Sequence, residues 1–435
     1  MKKSLLFILA ILMMPILTQA QDGEWTYEGI FPADSSIYGA IYDIAVDAEG
    51  KIWMQGHYAT GLLKSDSTTK VIDIHVLNPD GTKASFSPIQ KVTVNGVEQV
   101  FTASNGRGMR ATHDGNILFA YGTELYLIDH TTGEGIAHVS PNLGTSIAGP
   151  AVDAAGNIYV SGVVGGAVKQ YSADLDTTQA NGEVVIDAVP SVGRTLEVSR
   201  DGNTIFAPRR DLGSMLVYNR TALTPFGAAD TVLRGSIIES IAIDGHNDDV
   251  WVSTGSTPDP SAGYTPYTWY AYNADDWSQT DSVQWVIEAG NDSLVNATQP
   301  PKAIAFSNDY NTLYVGVWRS SGDQTYPVQK FTRNTPVSNE DFGNSTPSRF
   351  KLEQNYPNPF NPTTNINFTI QKTGNVTLKV YDITGREVAT LVNNTRYVSG
   401  SHMVTFDASN LASGVYLYSL QADGVRLTNK MTLIK

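Results

Sequence analysis

Seven cationic side chains carry the clearest chemical potential in this chain: Arg107, Arg110, Arg194, Arg209, Arg210, Lys302 and Arg319. They lie within residues 21–348, where 18 basic and 38 acidic side chains leave a formal charge of -20. A guanidinium presents paired N–H donors that match a carboxylate. Aromatic residues recur in the same segments: Tyr42, His57, Tyr58, Tyr121, Tyr264, Tyr267 and Trp318. Ring faces pack on sugar rings or cations. With Glu239 and Asp211 these residues form the candidate ligand set, and they point to an anionic or carbohydrate ligand. For catalysis the pair to inspect is Glu239 with His57, and no catalytic residue is assigned.

The motifs of other chemistries are missing. There is no Gly-x-Ser-x-Gly elbow, no His-Glu-x-x-His, no phosphate loop and no dinucleotide fingerprint. The chain has no cysteine, which excludes disulfides, thiolate metal sites and cysteine nucleophiles. Asp244-Gly245-His246-Asn247-Asp248-Asp249 is the richest acidic turn. It lacks the spacing and terminal glutamate of a calcium loop, so no metal site is expected and turn chemistry accounts for it. His57, His113 and His246 are scattered and read as single side chains. An acidic body repels nucleic acid, because affinity there depends on neutralising phosphates.

The elements that must position these residues are repeats. Each has an apolar run, a polar turn and a second apolar run. Ile44–Met54, Met109–Phe119, Ala151–Val160, Leu196–Phe206, Ile241–Val252 and Ile304–Val315 are the six copies. Asp, Asn and Gly tolerate the left-handed backbone of a tight turn. The β-branched and aromatic flanks suit buried strands. Repeats of this size with several strands each predict the blades of a β-propeller, six favoured and seven the alternative. Val92–Val97, a hairpin with an Asn95-Gly96 turn, would be either the outer half of blade one or that seventh blade. Trp25–Ile30 precedes the first copy and is expected to pair with the last blade, removing an exposed edge. In a propeller, ligands meet the loops entering the innermost strands and those joining second to third strands. Tyr42, Arg107, Arg110, Arg194, Glu239 and Lys302 fall on the first kind. His57, Tyr58, Tyr121, Arg209, Arg210, Asp211, Tyr264, Tyr267, Trp318 and Arg319 fall on the second.

Domain limits follow from composition. Lys2-Lys3, the apolar stretch Leu5–Leu17 and Thr18-Gln19-Ala20 read as a signal peptide over 1–20. That stretch is short for a membrane span, so no transmembrane anchor is expected in the mature chain. The propeller occupies 21–335. Residues 336–349 are polar and turn-rich and read as a linker. Short alternating strands then run through 350–435 and suggest a small sandwich.

This last region resembles a known family. Asn355-Tyr356-Pro357-Asn358-Pro359-Phe360-Asn361-Pro362 looks like the opening of type IX secretion system C-terminal sorting domains. Leu378–Asp382, Gly385–Val388, Phe406–Tyr416 and Lys430–Lys435 continue the pattern in order. The resemblance implies an Ig-like sandwich that addresses its cargo to an outer-membrane translocon, and hence a secreted or cell-surface protein. Pro357, Pro359 and Pro362 predict an extended, hydrogen-bond-poor entry strand. The propeller resembles, more loosely, streptogramin-lyase-like and gluconolactonase-like proteins in its repeat pattern alone, and no functional residues carry over.

Two main readings of function stand at this point. One is a surface or secreted binding protein for a carbohydrate, an anionic ligand or a protein partner. The other is an extracellular enzyme, lyase- or lactonase-like, acting on a saccharide or lactone. The segment Thr257–Tyr267, rich in Pro, Gly and Ser, adds an adhesive surface as a third.

Overall fold

A computed structural model describes residues 25–32, 41–59, 61–66, 68–103, 105–175, 182–190, 193–221, 225–253, 263–265, 267–286, 301–317, 328–333, 351–352, 355, 358–370, 374–382, 385–397, 400–422 and 425–434. The proposed signal segment 1–20 and linker 336–349 lie outside these residues, as do Trp318 and Arg319. The chain divides into two compact units, Met1–Pro336 and Val337–Lys435. Both are all-β, built from antiparallel sheets, and the described residues contain no α-helix.

Among the described residues the first unit holds six sheets of three or four strands and two two-stranded ladders, Gly61–Leu62 with Lys70–Val71 and Lys91–Val94 with Val97–Val100. Sheet one holds Ile41–Val46, Ile52–Gly56 and Ile74–Leu77. Sheet two holds Gly106–Ala111, Ile117–Tyr121, Glu124–Ile128 and Gly135–Val139. Sheet three holds Ala151–Val152, Ile158–Val160, Gly166–Tyr171 and Glu183–Val189. Sheet four holds Glu197–Val198, Thr204–Arg209, Ser214–Asn219 and Asp230–Val232. Sheet five holds Ile241–Ile243, Val250–Ser253, Thr268–Tyr272 and Gln279–Gln284. Sheet six runs Pro301–Phe306, Thr312–Val317, Val328–Arg333 and, as its outer strand, Trp25–Phe31.

The strand expected ahead of the first repeat therefore pairs with the last sheet, Trp25 opposite Arg333 and Phe31 opposite Val328. Burial explains why. Trp25 is 2% exposed and sits edge-on to Trp251 at 6.0 Å, with Phe306 also at 6.0 Å. Behind it the buried Arg333 pairs with the buried Asp244 and covers the Trp25 ring at 4.5 Å.

The first strand of each sheet packs beside the first strand of the next, and that of sheet six returns to that of sheet one. Hydrogen bonds join several neighbouring sheets. Gly106 N–H donates to His57 O at 3.3 Å, Gly149 N–H to Arg194 O at 3.1 Å, and Asn308 Nδ2 to Asp47 O at 2.8 Å. Backbones come unusually close at Gly108, where a Cβ would meet Gly149 Cα at 2.7 Å. Only glycine fits such an approach.

The repeated aspartates do turn work. Asp47 Oδ1 accepts from Glu49 N and Lys51 N at 2.9 Å each, and Oδ2 accepts from Trp53 Nε1 at 2.8 Å. Asp153 repeats the arrangement with Ala155 N, Asn157 N and the Tyr159 hydroxyl. The Lys91–Val94 and Val97–Val100 hairpin forms as its Asn-Gly turn predicts, with φ of 51° at Asn95 and 78° at Gly96. It lies against the outer strand of sheet two, and the first strands of sheets one and two touch without it.

In the second unit one sheet is Lys351–Leu352, Thr363–Ile370 and Gly400–Asp407, and the other is Glu387–Tyr397, Gly374–Asp382, Gly414–Ala422 and Val425–Leu433. Alternate residues from both, including Ile366, Phe368, Val380, Phe406, Tyr418 and Met431, share one core. Asn355 is buried, its N–H donating to the Tyr418 hydroxyl and its Nδ2 to Thr364 Oγ1, both at 2.9 Å. Tyr356 and Pro357 lie outside the described residues. Phe360 corrects the hydrogen-bond-poor expectation. Its N–H donates to Thr432 O and its carbonyl accepts from Ile434 N, both at 3.0 Å, in a parallel bridge to the last strand. Proline removes only its own donor, so Phe360 between Pro359 and Pro362 keeps both backbone groups.

Candidate functional site

The entry ends of the first strands converge. Arg107, Arg110, Arg194, Glu239 and Lys302 line one small cavity with Asp43, Thr195, Ser240 and the backbone at Gly149–Pro150. The space between them is about 10 Å³, room for one water-sized sphere. Its walls hold four cations against two carboxylates. That local excess sits inside the acidic stretch 21–348.

The cations divide into two kinds. Arg110 is committed to the protein: its Nη2 lies 2.6 Å from Glu197 Oε2, and Glu197 is only 4% exposed. It also reaches Pro150 O and, at the start of sheet five, Ile241 O, each at 3.4 Å. Lys302 is buried, donates to Glu239 O at 2.6 Å and covers the Tyr42 ring at 4.4 Å. Glu239 in turn pairs with Arg210, whose own pKa is held up mainly by that carboxylate. Arg107 and Arg194 are less engaged. Arg107 Nη2 is 3.4 Å from Ser146 Oγ, while its Nε is buried without a hydrogen-bond partner among the described residues. The Arg194 side chain has no hydrogen-bond or ion-pair partner among the described residues. The Ser240 hydroxyl is likewise unpartnered there, on a residue 5% exposed.

Titration follows the same geometry. Burial pushes the Asp43 carboxyl up, opposed by the Met109 N–H it accepts at 2.9 Å and by Arg110 and Lys302. Burial also raises Glu197, with Arg110 opposing. His57 donates Nδ1–H to Gly106 O at 2.7 Å and stacks on Tyr42 with centroids 5.1 Å apart. Its pKa is lowered, first by burial and then by Arg107, Arg194 and Lys302. His57 therefore shares the electrostatic field of the cationic group.

Not every predicted residue arrives. Arg209 turns to Ser214 Oγ, at 3.1 Å from Nε and 2.8 Å from Nη2, and does not line the cavity. Tyr121 is buried, its hydroxyl accepting from Ala103 N at 2.7 Å. Tyr264 packs on Tyr270 of sheet five at 5.8 Å. Asp211 sits in the short 3₁₀ turn Arg210–Leu212 after the second strand of sheet four. Sequence reasoning missed Asp43, Glu197 and Ser240. The first two had a readable signal, a carboxylate flanked by apolar strand residues (Tyr42-Asp43-Ile44 and Leu196-Glu197-Val198). A buried charge demands a partner.

Residues 354–435 match the family described as "Secretion system C-terminal sorting domain". That region is a type IX sorting domain, and it marks the chain as exported to the cell surface or beyond. No curated protein matches the chain. Among solved structures, a protein of unknown function from Bacteroides caccae is 14% identical, with a TM-score of 0.41, covering 60% of this chain and 86% of that one. The extracellular domain of a putative hybrid two-component system from B. thetaiotaomicron is 9% identical, with a TM-score of 0.42, covering 95% of this chain and 60% of that one. A chain of a mitotic checkpoint complex is 11% identical, with a TM-score of 0.43, covering 72% and 96%. Among the described residues no helix is long and apolar enough to cross a membrane.

Proposed function

We propose that this protein is an exported six-bladed β-propeller whose mouth captures a carboxylate or similar anionic group on an extracellular ligand. The six sheets are its blades, and Trp25–Phe31 closes the ring. The hairpin at 91–100 is an appendage packed on the outer strand of blade two rather than a seventh blade, because the first strands of sheets one and two touch directly. A signal peptide over 1–20 directs the chain to the periplasm. The sorting domain, an Ig-like sandwich, hands it to the type IX translocon.

One observation carries the ligand reading. Arg107 Nε, the Arg194 guanidinium and Ser240 Oγ border one cavity with no partner among the described residues. Unused donors at a buried site are costly, and an anionic oxygen satisfies them. The cavity admits the tip of an acidic group but not a sugar ring, so a ligand such as a uronic acid would rest on the rim and insert its carboxylate. Calorimetric titration of the whole chain with galacturonate, and with galactose as the neutral control, tests this. Binding of the acid alone, lost in Arg194→Ala, is the expected result. Equal binding of both sugars, or full retention in Arg194→Ala, would overturn it.

A further inference from the structure

At the other end of the same strands, sheets four and five leave a second cavity of about 560 Å³. That falls in the size range of small-ligand sites. Phe206, Val217 and Ile243 give it an apolar floor, and Trp277 stands over Phe206 edge-on at 6.1 Å. Trp277 holds φ at 60°, the left-handed region that bulky residues avoid. Its ring is half-buried, so one part is fixed by packing and another borders the cavity.

The rim is strongly one-signed. Asp201, Asp230, Asp248 and Asp275 face a single cation, Arg200. Arg200 is engaged, donating Nη1 to Gly245 O at 2.9 Å with Asp248 Oδ1 at 3.9 Å. Asp201 is consumed by its own turn, accepting from Ser199 Oγ and from both the backbone and the side chain of Asn203. The carboxylates of Asp230 and Asp275 have no partner among the described residues. Ionised carboxylates only accept hydrogen bonds. A neutral sugar, which needs donors as well as acceptors, finds few donors here: the Ser199 and Thr204 hydroxyls are spent on Asp201 and Asn219, which leaves the Asn219 amide N–H. A positively charged donor on an apolar stem matches all three elements: acidic rim, aromatic wall and apolar floor.

We propose that this inter-sheet cavity is a docking site for a basic peptide segment of a partner protein, with a lysine or arginine side chain laid along Phe206 and Trp277 and its charge held by Asp230 and Asp275. It is separate from the anion site at the mouth and does not depend on it.

The test uses the whole chain and tetralysine as probe, by isothermal titration at 50 mM and 500 mM salt. The expected result is one site per chain, weakened at high salt. Affinity should fall at least fivefold in Trp277→Ala and at least tenfold in the double variant Asp230→Asn, Asp275→Asn. Arg194→Ala, at the mouth, should bind as wild type. The aspartate variant alters only exposed carboxylates, so it keeps the test sound if Trp277→Ala fails to fold. Affinity unchanged in the aspartate variant would reduce any binding to the general acidity of the body and overturn the proposal. So would tetralysine failing to bind, or a neutral oligosaccharide displacing it.

Discussion

Arg110→Ala separates the committed cations of the mouth from the uncommitted ones. Arg110 is the charge partner of Glu197, whose carboxyl is buried and already raised above its ordinary value of 4.5. Without Arg110, Glu197 can remain a bare buried charge or take up a proton. Breaking a buried pair costs about 3–5 kcal/mol when the charge stays. Protonating a glutamate of ordinary pKa 4.5 at pH 7 costs about 3.4 kcal/mol, which sets the ceiling.

That ceiling depends on pH. Between 4.5 and the new folded-state pKa, the folded state holds the proton and the unfolded state does not. Stability therefore falls as pH rises, by up to about 1.4 kcal/mol per unit. The deficit of Arg110→Ala should be small at pH 4.5 and approach 3 kcal/mol at pH 7, over a constant remainder of about 1 kcal/mol for the long contacts to Pro150 O and Ile241 O. Urea unfolding followed by tryptophan fluorescence measures it cleanly, since all seven tryptophans lie at or before Trp318 and report the first unit alone. Arg194→Ala in the same series should stay within about 0.5 kcal/mol of wild type, because no partner is stranded. A deficit for Arg110→Ala that does not change with pH would refute the assignment of its role to Glu197.

Three further outcomes are expected. The pKa of His57 is lowered by burial and by Arg107, Arg194 and Lys302, so an anion among those cations should raise it again. Binding should then take up protons and tighten as pH falls below about 6.5, which titration in buffers of different ionisation enthalpy would register; affinity rising with pH would contradict it. Trp25→Ala empties a position packed by Trp251, Phe306 and Arg333 and should cost about 3–5 kcal/mol in urea unfolding; a cost below about 1 kcal/mol would mean that the outer strand Trp25–Phe31 is dispensable. Gly108→Ala would force a Cβ to 2.7 Å from the backbone at Gly149, so its melting temperature should drop while Gly144→Ala, with open space around it, isolates the effect of positive φ alone; equal losses would deny the close approach any special weight.

Local chemistry was legible in this chain wherever a few neighbouring residues are sufficient to impose a backbone. The Asp–Gly and Asn–Gly turns needed only their own side chains and glycines to form, as Asp47, Asp153 and the Asn95–Gly96 hairpin do. The sorting domain was legible for a related reason, since its Asn-Tyr-Pro-Asn-Pro opening and strand order are contiguous in sequence. The repeats also located Arg107, Arg194 and Lys302 at one end of their strands, because each stands at the same point relative to its turn. The tertiary structure decided which cations are consumed. Arg110 meets Glu197, Arg210 meets Glu239, and Arg209 turns back to Ser214, while Arg194 is left over. Those partners lie 87, 29 and 5 residues away along the chain. An arginine's sequence neighbours therefore cannot reveal whether its charge is already spent. The same limit hid the cavity between sheets four and five, because Phe206 on sheet four and Trp277 in the turn before the last strand of sheet five, 71 residues apart, meet only in the fold.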